Sequence, residues 1–74
     1  MPKLPRISGA EAIKVFEDLG FSIARQKGSH VVLRKGDVGC VIPLHKELAV
    51  GTLRSAIKQA KLSAEDFLEA YNQR

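Results

Sequence analysis

The sequence predicts a two-layer α+β fold, in which helices cover one face of a three-stranded antiparallel sheet. Three observations support this prediction. The chain has 74 residues, enough for one domain and too few for two. Three segments carry apolar residues at three- and four-residue spacing, the pattern of amphipathic helices. Between the first and second of these segments lie three short runs rich in β-branched residues, separated by glycine-containing turns.

The first helix is predicted over residues 9–19, after an extended tail at residues 1–6 in which two prolines disfavour a helix. Ser8 and Glu11 form the pattern of a capping box, since each side chain can accept a hydrogen bond from the other residue's backbone amide. Gly20 follows the last apolar residue, where a left-handed glycine commonly ends a helix.

Three antiparallel strands are predicted over residues 21–26, 30–35 and 38–42. The pair Gly36-Asp37 suits a two-residue hairpin turn, because glycine accepts the positive φ that such turns require. Pro43 has no amide to donate and therefore ends the third strand.

Two further helices follow a loop at residues 44–50. The second helix, over residues 52–61, has an apolar stripe on one face and cations on another, which makes it amphipathic and basic. Ser63 marks the start of the last helix, which ends near Asn72. Helix, three strands, helix and helix, with one face of the sheet open, is the outline of a double-stranded RNA-binding domain by analogy.

The charge of the chain is uneven. Twelve Lys and Arg against eight Asp and Glu give a formal net charge of +4 and a pI near 9.6. Residues 21–36 hold four cations and no acid, and residues 45–62 hold four cations and one acid. A local positive field attracts polyanions, of which RNA and DNA are the commonest in a cytosol.

Other classes of function are disfavoured by the composition. A single cysteine, Cys40, excludes an internal disulfide, and with two histidines it is too few for a Cys/His zinc site, so we expect no metal and no cofactor. The longest uncharged stretch, residues 38–45, is far shorter than the roughly 18 apolar residues of a membrane-spanning helix. The N-terminus lacks the apolar core of a signal peptide. We therefore expect a cytoplasmic protein with no membrane partner.

His30 is the main candidate for chemistry. Side chains alternate across a strand, so His30 would lie on the open face if Val31 and Leu33 meet the helices. Nearby cations, Arg25 among them, disfavour an imidazolium ion, so the neutral ring could accept a proton as a general base. The amides of Gly28-Ser29 could donate to a phosphate oxygen. The alternative is a partly exposed histidine that merely begins a strand.

The other candidates rest on weaker patterns. His45 lies in a loop, where a histidine commonly bonds the backbone, and is a possible second acid–base group. Cys40 is expected to be a buried, inert thiol. The cations of the second helix form either a phosphate-binding stripe or an ordinary solvated face. The residues predicted to bind RNA are Arg25, Lys27, Gly28, Ser29, Arg34, Arg54, Lys58 and Lys61.

A family resemblance runs from about residue 4 to residue 71, and short stretches of the sequence carry it. They are Leu4-Pro5-Arg6-Ile7-Ser8-Gly9, Leu19-Gly20-Phe21, Arg25-Gln26-Lys27-Gly28-Ser29-His30, Pro43-Leu44-His45-Lys46-Glu47-Leu48 and Gly51-Thr52-Leu53-Arg54, with Ile57. With its Gly-Ser-His and Gly-Thr-Leu-Arg elements in this order and spacing, the sequence resembles the HicA (YcfA-like) toxins of bacterial toxin–antitoxin systems.

The resemblance implies a single HicA-like toxin domain over residues 1–74, with a fold like the double-stranded RNA-binding domain. It also implies a ribosome-independent mRNA endoribonuclease in the bacterial cytoplasm, whose key residue is the histidine of Gly-Ser-His, here His30. The implied partner is a HicB antitoxin that blocks the active site. We expect a monomer alone and a hetero-oligomer with the antitoxin.

Two other functions stay open at this point. A noncatalytic module would bind double-stranded RNA through the basic helix at residues 52–61, without need of His30. A pure protein-interaction domain would bind an acidic partner and have no affinity for RNA. If the chain does cut RNA, we expect metal-independent cleavage, because no carboxylate cluster suited to Mg²⁺ accompanies the basic turn.

Overall fold

The computed structural model describes residues 3–74, and its order of elements confirms the predicted α+β fold with a three-stranded antiparallel sheet. Residues 1 and 2 of the predicted tail lie outside the described residues. The elements are α1 Gly9–Asp18, β1 Ser22–Lys27, β2 His30–Lys35, β3 Val38–Pro43, α2 Val50–Gln59 and α3 Ala64–Asn72. No helix within residues 3–74 is long and apolar enough to cross a membrane.

Strand β2 is the middle strand of the sheet and pairs with β1 on one side and with β3 on the other. The register of β1 against β2 shifts between Ile23 and Arg25, so Ala24 is the extra residue of a bulge. Because of this bulge, Arg25 rather than Ala24 lies opposite Val32. The bulge therefore directs Arg25 to the open face of the sheet.

The core lies between the helices and one face of the sheet. Phe16 of α1 is its centre, with ring centroids 5.6 Å from Phe21 and 5.4 Å from Phe67 of α3. The sheet and α2 contribute further buried side chains, namely Val31, Leu33, Cys40, Ile42, Leu53 and Ile57. Among residues 3–74, no helix covers the opposite face of the sheet over β1 and β2, which confirms the two-layer arrangement.

The segment before α1 is part of this core. Leu4 and Ile7 are buried, with 4% and 3% of their surface exposed. The backbone amide of Leu48 donates to the carbonyl of Ile7 at 2.7 Å. The segment thereby fixes the loop between β3 and α2 as well as covering the core.

Most helix ends lie close to their predicted positions, where capping residues or a glycine mark them. Ser8 and Glu11 form both hydrogen bonds of the capping box at the start of α1. Ser63 and Asp66 form the same arrangement at the start of α3. Gly20 has a φ of +100°, a left-handed conformation just after α1.

Helix α2 differs from the predicted range, residues 52–61, at both ends, since it spans Val50–Gln59. Ala49 at its N-cap makes no side-chain hydrogen bond, so no polar capping residue marks its start in the sequence. At the other end Lys61 has a φ of +60°, and its amide donates to the carbonyl of Lys58 at 3.1 Å. Lys61 therefore lies beyond the helix, in a conformation rare for residues other than glycine.

Candidate functional site

His30 is the first residue of β2, and its side chain is exposed on the open face. Val31 and Leu33 are buried under the helices, as the alternation of the strand predicts. Lys27 of β1 and Pro43 of β3 are the register partners of His30. An accessible imidazole and an ammonium group thus lie side by side at one end of the sheet.

The turn between β1 and β2 leaves its backbone open to a ligand. Gly28 has a φ of +59°, and a Cβ there would meet nothing within 4 Å. The Nε2 of Gln26 donates to the carbonyl of Gly28 at 3.0 Å. On the other side, the amide of Leu44 donates to the carbonyl of Ser29 at 2.6 Å. The turn is therefore held from both sides while its outer surface is free.

The loop that carries His45 is fixed by the start of α1. The amide of Gly9 donates to the carbonyl of His45 at 2.9 Å. A Cβ on Gly9 would lie 2.1 Å from the carbonyl oxygen of Pro43, so a side chain there would push the loop away. His45 follows Pro43, the strand partner of His30, by two residues.

His30 and His45 line one cleft of about 510 Å³, which we call the histidine cleft. Its other walls include Val41, Pro43, Thr52, Ser55 and Gln59. The Oε1 of Gln59 accepts a hydrogen bond from the backbone amide of Val41 at 3.4 Å, which joins α2 to the free edge of β3. The structure therefore brings together two histidines that lie 15 positions apart in the chain.

Neither imidazole makes a hydrogen bond to another group within residues 3–74. The sequence pattern favoured a backbone hydrogen bond for the ring of His45, and that prediction is wrong. Instead, the loop is held by the backbone carbonyl of His45. Both rings are exposed and free to bond a ligand.

A second groove, of about 480 Å³, shares Val41 and Gln59 with the histidine cleft. We call it the basic groove, because its charged lining residues are Arg34, Asp37, Lys58 and Lys61. Three of the predicted phosphate-binding cations thus lie together although Lys61 is outside α2. Arg54 lines a different groove, with Lys3 and Arg6.

Arg25 and Lys27 extend the positive charge across the open face of β1. The sequence predicted that Arg25 lies near His30 on the neighbouring strand. Lys27 is the residue directly opposite His30, and Arg25 lies one same-face position further along the strand, opposite Val32. Cations therefore lie on the β1 side of the histidine cleft as well as in the basic groove.

Three polar residues of α2 in the histidine cleft, Thr52, Ser55 and Gln59, were not predicted from the sequence. Their spacing of three and four residues is the signal that was available, since it puts them on one helix face beside the apolar stripe. They supply two hydroxyl groups and an amide that can bond a ribose or a base.

The side chain of Cys40 is buried in the core as predicted, although the residue also contributes to the lining of the basic groove. Burial raises the pKa of its thiol to about 11. Within residues 3–74, no group of three His, Cys, Asp or Glu side chains is arranged to hold a metal ion.

The site as a whole combines two groups that can move protons with two cationic surfaces that can hold phosphates. A family model described as the HicA toxin of bacterial toxin–antitoxin systems matches residues 9–62, which include both histidines, the Gly28 turn and the cations of the basic groove. No curated protein matches the chain with significance.

Proposed function

The chain belongs to the HicA toxin family of bacterial toxin–antitoxin systems, and from this premise we propose that it is an endoribonuclease that cleaves mRNA independently of the ribosome. One observation supports the proposal most strongly. The exposed His30 is the strand partner of Lys27 and lines a cleft that shares two of its residues with the basic groove. A phosphodiester bound across these surfaces would present its ribose to the imidazole.

In the proposed reaction, His30 acts as a general base and removes the proton from a ribose 2′-hydroxyl. The 2′-oxygen then attacks the adjacent phosphorus, and the bond from phosphorus to the 5′-oxygen breaks. The products are a 2′,3′-cyclic phosphate and a 5′-hydroxyl. General base catalysis of this kind contributes about 10² to 10⁴ in rate, so we expect a slow enzyme.

The cations near His30 have two roles in this proposal. Lys27, as its direct strand partner, stabilises the charge that develops on the phosphate. The amides of the turn at Gly28 and Ser29 are open to the same phosphate oxygens. Arg25 on one side and the basic groove on the other hold the neighbouring phosphates of the strand, which positions the scissile one.

The partner of such a toxin is its antitoxin, and we propose a HicB-type protein that covers the histidine cleft and Lys27. Masking the phosphate site is the most direct form of inhibition. We propose that the toxin is a monomer alone, forms a hetero-oligomer with the antitoxin, and acts in the cytoplasm. Protection of the exposed His30 imidazole from diethyl pyrocarbonate in the complex, measured by peptide mapping, supports this footprint. Modification of His30 at the rate of the free toxin contradicts it.

The test is cleavage of a fluorescent mRNA fragment by the purified protein in EDTA. We expect the native chain to cut and His30→Ala to lose activity by about 10² or more. The exposed cation Lys14 on α1 provides a control, since Lys14→Ala alters a residue away from both grooves. Undiminished cleavage by His30→Ala contradicts the mechanism.

The clustering of Arg34, Lys58 and Lys61 also favours a second candidate, a noncatalytic module that binds double-stranded RNA. The same assay separates the two functions. A noncatalytic module protects duplex RNA without producing new ends, and its binding is the same in His30→Ala. An enzyme produces 5′-hydroxyl ends that disappear in that variant.

A further inference from the structure

The histidine cleft contains a second imidazole to which the proposed reaction has so far given no role. We propose that His45 is the general acid of the cleavage reaction and donates a proton to the departing 5′-oxygen. This inference rests on the proposed function, because it divides the two proton transfers of RNA cleavage between the two histidines.

The geometry of the backbone holds the two histidines at one cleft. Pro43 is the strand partner of His30, and His45 follows it by two residues. The amide of Leu44, between them, donates to the carbonyl of Ser29 at 2.6 Å, which links the loop to the turn.

A third contact, from α1, fixes the backbone of His45. The amide of Gly9 donates to its carbonyl at 2.9 Å. The absence of a side chain on Gly9 lets the helix approach this closely, since a Cβ would lie 2.1 Å from the oxygen of Pro43. With the backbone fixed on two sides, the position of the ring depends on rotation of its own side chain alone.

The imidazole of His45 is available to a substrate. It is exposed, and it makes no hydrogen bond to a group within residues 3–74. The cleft it shares with His30, of about 510 Å³, is within the range of roughly 300 to 1,000 Å³ that is typical of small-ligand sites. The cleft is therefore large enough for a ribose and its 3′-phosphate, and both rings are exposed to it.

The chemistry requires an acid at this place. When the bond from phosphorus to the 5′-oxygen breaks, the oxygen keeps the electron pair, and an alkoxide leaves poorly unless it gains a proton. Imidazole is the side chain that changes charge between pH 5 and 8, so it can donate a proton under cellular conditions. Among the residues that line the cleft, only His30 and His45 can do so, because the others are apolar, hydroxyl or amide residues or glycine.

The proton balance of the step is complete. His30 gains the proton of the 2′-hydroxyl, and His45 loses one to the 5′-oxygen, so the reaction ends with a cyclic phosphate and a neutral 5′-hydroxyl. Exchange of one proton each with water returns both rings to their starting forms. No oxidant, metal ion or further reactant enters the scheme.

The experiment uses a leaving group that needs no acid. A cleavage site is first mapped on an mRNA transcript, and an oligonucleotide with a single ribonucleotide at that site is made in two forms. One has the natural 5′-oxygen at the scissile phosphate and the other has sulfur in its place. A thiolate leaves without protonation, so loss of a general acid slows the oxygen substrate alone.

We expect His45→Ala to cut the oxygen substrate about 10² times more slowly than the native chain, and the sulfur substrate within about threefold of it. His30→Ala is slow on both substrates. His45→Gln, which keeps a polar side chain but has no acid, behaves like His45→Ala. Melting temperatures of the variants, compared with the native chain, separate these effects from unfolding.

Two results overturn the inference while the proposed function survives. If His45→Ala is equally slow on both substrates, the residue positions the substrate and is not the acid. If it cuts the oxygen substrate at the native rate, it has no role in the reaction. If the native chain cuts neither substrate, the proposed function itself fails and the inference fails with it.

Discussion

The two faces of strand β2 differ in what their residues do. On one face Val31 and Leu33 are buried, with 2% and 0% of their surface exposed, and belong to the hydrophobic core. On the other face His30 and Arg34 are exposed, and the exposed cations of β1 lie next to them. Adjacent residues of one strand thus have different roles, one stabilising the fold and the next available to a ligand, because successive side chains point to opposite faces.

The largest effect on stability is expected from Leu33→Ala, compared with Arg34→Ala next to it. Truncating a fully buried leucine leaves a cavity and lowers the free energy of unfolding by about 2 to 5 kcal/mol. In a domain of this size that lowers the melting temperature by at least about 8 °C.

Arg34→Ala, on the exposed face, is expected to change the free energy of unfolding by less than about 0.5 kcal/mol. It instead weakens binding to RNA, since Arg34 lines the basic groove. Thermal melts and RNA binding of both variants check the pair. Equal losses of melting temperature contradict the assignment of the two faces.

The basic groove is tested by a comparison within α2, between Lys58→Ala and Arg54→Ala. Both residues are exposed cations of the same helix, but Lys58 alone lines the basic groove. Loss of one phosphate contact reduces the slope of log K against log salt by about 1. We expect this for Lys58→Ala and no change for Arg54→Ala. If Arg54→Ala reduces the slope and Lys58→Ala does not, RNA binds along the other groove.

A smaller effect on stability is expected from Lys61→Gly. Compared with Lys61→Ala, this substitution separates the effect of the charge from the effect of the backbone conformation. Lys61 has a φ of +60°, which glycine adopts without strain, so the substitution stabilises the fold by about 0.5 to 1 kcal/mol. The corresponding rise in melting temperature is about 2 to 8 °C. Lys61→Ala removes the same charge without relieving the strain. Both variants should lose RNA affinity to the same extent, and only Lys61→Gly should have a higher melting temperature.

The smallest expected effect concerns Cys40, on the buried face. Burial raises the pKa of its thiol to about 11, so at pH 8 almost none of it is the reactive thiolate. Alkylation of the folded chain with iodoacetamide at pH 8 is therefore much slower than alkylation in denaturant. Equal rates show that the core opens readily. RNA cleavage should be the same in Cys40→Ala, which keeps the buried face apolar.

Much of the fold follows from local patterns. The observed bounds of β2, the capping box at Ser8 and the left-handed Gly20 agree with their predictions. The exposure of His30 also follows, since it depends on strand alternation alone. These features depend on residues within a few positions of one another, which is why sequence reasoning can reach them.

The rest of the site depends on contacts between distant parts of the chain. His45 joins His30 because Gly9 and Ser29 hold its loop through backbone hydrogen bonds that no side-chain pattern signals. Arg25 reaches the open face through a bulge that strand periodicity does not predict. The uncapped start of α2 likewise leaves no polar residue in the sequence to mark it.

The central claim is that the open-face imidazole of His30 takes a proton from a ribose 2′-hydroxyl. The most direct measurement compares two oligonucleotides that differ in one atom, a 2′-hydroxyl or a 2′-hydrogen at the mapped cleavage site, with the native chain in EDTA. We predict that the first is cut to a 2′,3′-cyclic phosphate, and that the second binds with similar affinity and is not cut. Cleavage of the 2′-deoxy substrate at a comparable rate contradicts the account.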